Sequence, residues 1–357
     1  MNNLLKNKWM RLNLALVGVL LCAVTGCVFL DGYSIAQIGP DGKEVYYAKA
    51  GEEATFTVNG HIEARIQGND GVTTNLVFAM LVPKDWEMAK HATVTYKTDL
   101  ADDREKELPM VVMPSTSLPK QGGGRTWVQC LANEYGVGPN VLDDMEWVVF
   151  QTAQKWTIMN NQDPTYRIFV RTKMGRKNLK CKLGFFVSHT DDGFGGGTDH
   201  KKVVFANECF EVVGGQGMTL DFCNNHYNKV TPMTALQNDY VTISFIGDAA
   251  DNLLAQSNVV YLQGEAVTTD GRVYRIDNRN EKTLMSQPNK LTKTFQLTIW
   301  PCGFFGVPTD QQIDHICYWF SNADGSIVIT QSDDNFVQQG TPYPTEKELF
   351  NFVFSCE

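Results

Sequence analysis

The chain has 357 residues, with 31 Lys and Arg against 40 Asp and Glu, and a net charge of −9. That acidic balance excludes the nucleic-acid-binding class, which depends on clustered cations to neutralise phosphates. At 43% hydrophobic residues the chain can build cores for two or three domains of the usual size.

The N-terminus carries the clearest local signal. Lys6, Lys8 and Arg11 stand without an acid, and Leu12 to Val24 follow as a run broken only by Asn13. A basic start, a short apolar run and small residues describe an export signal over residues 1–26, too short for a membrane span. Thr25-Gly26-Cys27 resembles a bacterial lipobox, which makes Cys27 the expected lipidated first residue of the mature chain. An ordinary signal peptide cut nearby, or an uncleaved anchor, is the alternative. Residues 27–39 then read as a lipid-anchored linker.

From residue 40 the chain reads as β throughout. Short runs rich in Val, Ile, Phe, Tyr and Thr recur between Gly, Asn, Asp and Pro. They include Ala54–Val58, Leu76–Val82, Thr93–Lys97, Trp147–Gln151, Tyr166–Lys173, Lys182–Ser188, Tyr240–Ile246, Val259–Leu262, Thr294–Trp300 and Ile327–Thr330. The expected fold class is all-β, with two or three immunoglobulin-like β-sandwich domains in tandem. Helix is expected at Thr126–Tyr135, stopped by Gly136, and as a short turn at Pro344–Phe350. Val213–Gly217 is the best boundary. It separates a β-sandwich region over 40–213, with an alternative division near 114–124, from a C-terminal sandwich over 218–357.

Catalytic signatures are missing: there is no GxSxG, HExxH, phosphate-binding GxxxxGK[ST] or GxGxxG after a strand. His315 and Cys317 share a strand face but lack an evident orienting group. The pairs Asp143-Asp144, Asp191-Asp192 and Asp333-Asp334 are adjacent acids on single loops. A glycosidase needs carboxylates on opposite sides of a sugar, so no catalytic residue is assigned. Histidine and acid spacing fits no zinc site, and no cofactor is expected. His189–His200 (HTDDGFGGGTDH) offers oxygen ligands for Ca²⁺ but not the EF-hand spacing, and reads more simply as a hairpin loop. Beyond Cys27 there are seven cysteines (130, 181, 209, 223, 302, 317 and 356), so at least one stays unpaired within the chain; their spacing assigns no partners.

The aromatic segment Thr294–Ser326 holds the candidate site. Strict alternation over Ile316–Ser321 sends Ile316, Tyr318 and Phe320 to the core and Trp319 to the polar face. The same reading of Thr294–Trp300 sends Trp300 outward with Gln296 and Thr298. An indole on a polar face suits a sugar, whose C–H face packs on an aromatic ring while amides and carboxylates bond its hydroxyls. Trp319 and Trp300 are therefore the candidate stacking platforms, with Asn322 and Asp324 as polar contacts and Gln296, Gln311 and Gln312 nearby. The competing reading covers both indoles with a loop or a neighbouring domain.

Several stretches resemble surface lipoproteins of Bacteroidetes glycan-utilisation systems, in the neighbourhood of the SusE- and SusF-like starch-binding proteins. They are the lipobox at Cys27, Lys49-Ala50-Gly51-Glu52, Val82-Pro83-Lys84-Asp85-Trp86, Met145–Gln151, Val260-Tyr261-Leu262-Gln263-Gly264, Phe305-Gly306-Val307-Pro308 and Asn322-Ala323-Asp324-Gly325-Ser326. The resemblance implies β-sandwich modules that bind a starch-like glycan without catalysis, as accessory to an outer-membrane transporter or a hydrolase. It also implies an outer-membrane lipid anchor, displayed at the cell surface. Family members usually carry several acids after the lipidated Cys; here Val28-Phe29-Leu30 precede Asp31, which leaves the periplasmic face open. A structural subunit of a surface assembly is the other reading.

Overall fold

A computed structural model describes residues 25–65, 71–195, 197, 201–339 and 347–354. About 45% of it is strand and 11% helix, so the chain is all-β, and it divides into two compact units in tandem. The first holds residues up to 216 together with 220–223, and the second holds 217–219 and everything from 224. Of the expected signal over residues 1–26, residues 1–24 lie outside the described residues, and Thr25 and Gly26 are the first residues of a strand.

Nine antiparallel strands form the main sheet of the first unit: β1 (Thr25–Ser34), β2 (Glu53–Arg65), β3 (Leu76–Pro83), β4 (Thr93–Thr98), β5 (Leu108–Val112), β6 (Met145–Thr152), β7 (Thr165–Lys173), β8 (Gly184–His189) and β9 (Lys201–Phe205). Their order is β1-β2-β7-β4-β5-β6-β3-β8-β9. β1 also lies against β8 and β9, so the sheet folds over on itself into a two-layered sandwich. Alternation places Ala54, Phe56, Val58 and Ile62 of β2 inside, against Trp86 and Phe210. On the outer side Arg171 grips Glu107 through two bonds of 2.9 and 3.0 Å. Those bonds, with one from Thr95, hold the Glu107 carboxyl down at about 2.

β3 is buried on both faces, as its unbroken apolar sequence requires. On the neighbouring strand β8, Phe186, paired with Ala79 of β3, packs under Trp127 and Tyr135 of helix α1 (Trp127–Tyr135). Thr126 and Gln129 make a reciprocal capping box at the start of α1, and Gly136 ends it at φ 56°. The stretch Ser115–Gly124 is part of this cover, not a division between modules: the Phe194 N–H donates to Lys120 O, and the Trp127 N–H to Ser117 O.

Residues 27–39, expected as a linker, are a correction. Cys27 to Ser34 are strand, in register with β2 from Glu63 to Thr57. Val28 is fully buried, the Phe29 ring stacks on His61 at 4.4 Å, and the Tyr166 hydroxyl donates to Phe29 O at 2.5 Å. Side-chain burial and an unsatisfied edge of β2 draw this segment into the sheet. Cys209 and Cys223 form a disulfide, while Cys130, Cys181, Cys302 and Cys317 carry free thiols.

The second unit packs two sheets. One is β10 (Asn228–Thr231), β11 (Val241–Ile246) and β14 (Thr294–Ile299). The other is β12 (Tyr261–Thr268), β13 (Val273–Ile276), β15 (Ile313–Ser321), β16 (Val328–Ile329) and β17 (Phe350–Val353). Its order is β13-β12-β15, with β16 and β17 both pairing the far side of β15. Phe245, Phe295, Ile316, Tyr318, Phe320 and Phe350 fill the space between the sheets. Helix α2 (Pro301–Phe305) follows β14, and α3 (Gln331–Gln339) follows β16. The expected short helix at Pro344–Phe350 is not formed in its described part: residues 347–349 carry no helix and Phe350 opens β17, while 344–346 lie outside the described residues.

Candidate functional site

β15 does what alternation demands of it. Ile316, Tyr318 and Phe320 are fully buried, and Trp319 is half-buried on the opposite face. Register then decides Trp319's neighbours. Gln263 of β12 lies directly across the ladder, and Glu265, opposite Cys317, pairs in turn with Arg275 of β13. The Arg275 guanidinium lies over the indole, 5.4 Å from the ring centroid. Beside the ring runs a one-way chain of bonds: Arg279 Nε to Ser321 Oγ (3.1 Å), Ser321 Oγ to Gln263 Oε1 (2.6 Å), Gln263 Nε2 to Asp277 O (3.0 Å). Ser321 and Gln263 are both buried, although alternation assigns them to the outer face; Arg279 and the adjoining turn cover that end of it.

Asn322 and Asp324 lie next to Trp319 in sequence but are occupied by their own turn. Asn322 Oδ1 accepts the Ile327 N–H and its Nδ2 donates to Ser326. Asp324 Oδ1 accepts both the N–H and the hydroxyl of Ser326, which holds its carboxyl below the usual range. Trp300 is separated from Trp319. It is not strand but the N-cap of α2, on the end of the other sheet, where Pro301 starts the helix. Its ring lies across Gly303 and it is 37% exposed. Gln296 is engaged through its backbone with Ser286. Gln311 and Gln312 line a separate polar cleft of about 330 Å³ with Gln237, Asp310 and Asp314.

The other sequence candidates fold into local structure. His315 pairs with Asp314 at 2.7 Å, and burial followed by the charge of Glu265 pushes the Cys317 thiol up. His189 and Asp192 form a buried pair at 2.9 Å, and Asp191 reaches Lys120, so these acids are engaged within the protein. Asp199 and His200 lie outside the described residues. Among the described residues no group of three or more His, Cys, Asp or Glu is arranged to hold a metal ion. Arg275, Arg279 and Gln263 were missed by sequence reasoning. The β12–β15 register brings Gln263 opposite Trp319, the β13–β12 pairing brings Arg275, and Arg279 follows β13 to bond Ser321; no local motif encodes any of these.

These features define an all-β protein of two tandem sandwich units, the second presenting a Trp/Arg face on its larger sheet. The chain belongs to the family described as "Domain of unknown function (DUF4961)", which matches residues 34–226. Residues 228–329 match a second family, "Domain of unknown function (DUF8578)". No curated protein matches. Among solved structures, the C-terminal domain of the antigen I/II-family protein AspA of Streptococcus pyogenes aligns at 10% identity, covering 94% of this chain and 99% of that one, with a TM-score of 0.26. The C-terminal domain of the BspA polypeptide of Streptococcus agalactiae aligns at 12% over 83% and 94%, TM-score 0.23. AvmM, described as catalysing macrocyclization in alchivemycin A biosynthesis, aligns at 12% over 54% and 90%, TM-score 0.26. Likeness at this level carries no argument about function.

Proposed function

We propose that this is a non-catalytic glycan-binding protein of the bacterial envelope, lipid-anchored through Cys27, that captures an oligo- or polysaccharide for a neighbouring transporter or hydrolase. The observation that carries the reading is Trp319: a half-exposed indole, fixed by a buried strand, among guanidinium and amide groups. Rigid aromatic area beside oriented donors is what sugar recognition requires. The expected result is retardation of the protein in native gels containing a soluble polysaccharide. Trp319→Ala should weaken that binding by about tenfold, while Trp300→Ala, on the other sheet, leaves it unchanged. Unchanged retardation of Trp319→Ala would remove the site, and no retardation by any polysaccharide would remove the function.

Cys27 lies within β1, opposite Glu63 of β2, so acyl chains there would hold the first unit against the bilayer with little intervening chain. The expected result is incorporation of a labelled fatty acid by the wild-type chain and none by Cys27→Ser; equal labelling of the two rules this anchor out.

One observation favours a second reading, a subunit of a surface assembly. Val273 and Val353 end the cross-strand row Val273–Val267–His315–Val353, on the same sheet face as Trp319, and are 55% and 45% exposed. An exposed apolar edge of that kind suits a protein partner. Protection of Trp319 fluorescence from a soluble quencher by a co-purifying protein, but by no glycan, would decide for it.

A further inference from the structure

We infer that the Trp319 face takes an anionic glycan, a sugar bearing carboxylate or sulfate groups, and that Arg279 is the residue that binds the anion. This rests on the glycan-binding reading and names its ligand class.

The argument begins with the buried chain behind Arg279. Asp277 O can only accept, so Gln263 must present Nε2 to it and Oε1 to Ser321. The Ser321 hydroxyl therefore donates to Gln263 and has only lone pairs left for Arg279, whose Nε–H it accepts. Gln263 is 1% exposed and Ser321 is fully buried. Buried polar groups are costly unless satisfied, and an apolar pair would close the same space without that demand. What this chain does provide is orientation. With Nε turned inward at 3.1 Å from Ser321, the guanidinium lies flat against Gly325, where any side chain would collide with Nη2. Among the described residues no protein oxygen accepts from Nη1 or Nη2. The planar fork that matches a carboxylate is left free, on an exposed side chain in the segment after β13, held to Ser321, which lies two residues along β15 from Trp319.

Arg275 differs from it. Its Nε is 3.8 Å from Asp277 and Glu265 stands opposite in the ladder, so its charge is already answered. Its guanidinium also lies over the indole, so a sugar stacking there must displace it. A neutral sugar offers only C–H packing on the ring in exchange for the lost cation–π contact, and no partner for the displaced cation. An anionic sugar gives the displaced Arg275 a new partner while Arg279 holds the adjacent residue.

Calorimetric titration of the full chain with an oligogalacturonate, a chondroitin sulfate oligosaccharide and a starch oligosaccharide tests this. Binding is expected for the oligogalacturonate, the sulfated sugar or both, and which of them binds identifies the anion. Arg279→Gln should weaken it by about tenfold or more, the loss expected for one hydrogen-bonded charge contact, with an unchanged melting temperature. Arg279→Lys keeps the charge but not the fork, and should recover only a small part of carboxylate binding. Starch binding that equals or exceeds that of both anionic sugars, and that Trp319→Ala removes, overturns the inference and leaves the glycan reading standing. So does anionic binding that Arg279→Gln leaves intact. If none of the three binds, the glycan reading falls and the inference falls with it.

Discussion

Gly60→Ala should lower the stability of the first unit by about 4 kcal/mol, combining a backbone clash with a buried hydroxyl left without its acceptor. Gly60 lies in the interior of β2, paired with Leu30 of β1 on one side and with Tyr166 of β7 on the other. Its φ is not in the left-handed region, so the glycine is required for space alone. A Cβ there would come 2.1 Å from Phe29 O and 2.4 Å from the Tyr166 hydroxyl, the two atoms joined by the bond that ties β1 down. Burial, with a smaller contribution from the charge of Asp31, pushes the Tyr166 hydroxyl well above the usual tyrosine range, so it stays a donor across ordinary pH. An added methyl group must move either the backbone of β1 or the tyrosine ring. For a domain of this size the loss corresponds to a fall of about 10 °C in melting temperature by calorimetry. Tyr166→Phe removes only the hydroxyl and should cost less. Combined with Gly60→Ala it should cost less than the sum, because the clash at 2.4 Å goes with it. A Gly60→Ala chain that melts with the wild type would show that β1 is not held in this way.

The elements that could be read from the sequence are those whose signal is local. Ala54-Thr55-Phe56-Thr57-Val58 alternates and forms β2, Leu76–Val82 is continuously apolar and is buried on both faces, and Thr126, Gln129 and Gly136 bracket α1. Each failure has a physical cause. Alternation carried Thr294–Trp300 one residue too far, because Pro301 starts a helix and makes Trp300 its cap. Ile327–Thr330 read as strand hides Thr330, which sits at the head of α3; Asp333 accepts from both its N–H and its hydroxyl there. The apolar content of α3 is too low for a periodic pattern to show. Trp319 was placed on its face correctly by period alone. Arg279 stands forty residues away and meets Ser321, two residues along β15, only because β13 and β12 pair in register with it and carry the following segment there, a long-range property that no window of sequence contains.

Asp334→Ala should cost about 2–4 kcal/mol in the second unit, since it takes the acceptor at once from a buried N–H and from a histidine ring. Asp333-Asp334 looks in sequence like a pair of catalytic carboxylates, but the two face different ways. Asp333 caps its own helix. Asp334 is 1% exposed, accepts the Tyr227 N–H at 2.9 Å and pairs with Nδ1 of His226. It thereby ties α3 to the segment that opens β10, and α3 follows directly from β16, which pairs with the end of β15 beside Ser321. Alanine leaves the Tyr227 N–H buried without its acceptor and the histidine without its carboxylate. Asparagine keeps an acceptor for that N–H but gives up the charge, so Asp334→Asn should cost about 1–2 kcal/mol. The gap between the two variants separates the Tyr227 hydrogen bond from the contribution of the carboxylate charge. Denaturant titration measures both, and an alanine variant within about 1 kcal/mol of wild type would mean that α3 is held by something else. The tie also bears on glycan binding. If it acts only on stability, Asp334→Asn should bind sugar as the wild type does below its melting temperature, whereas Trp319→Ala should melt normally and bind about tenfold more weakly.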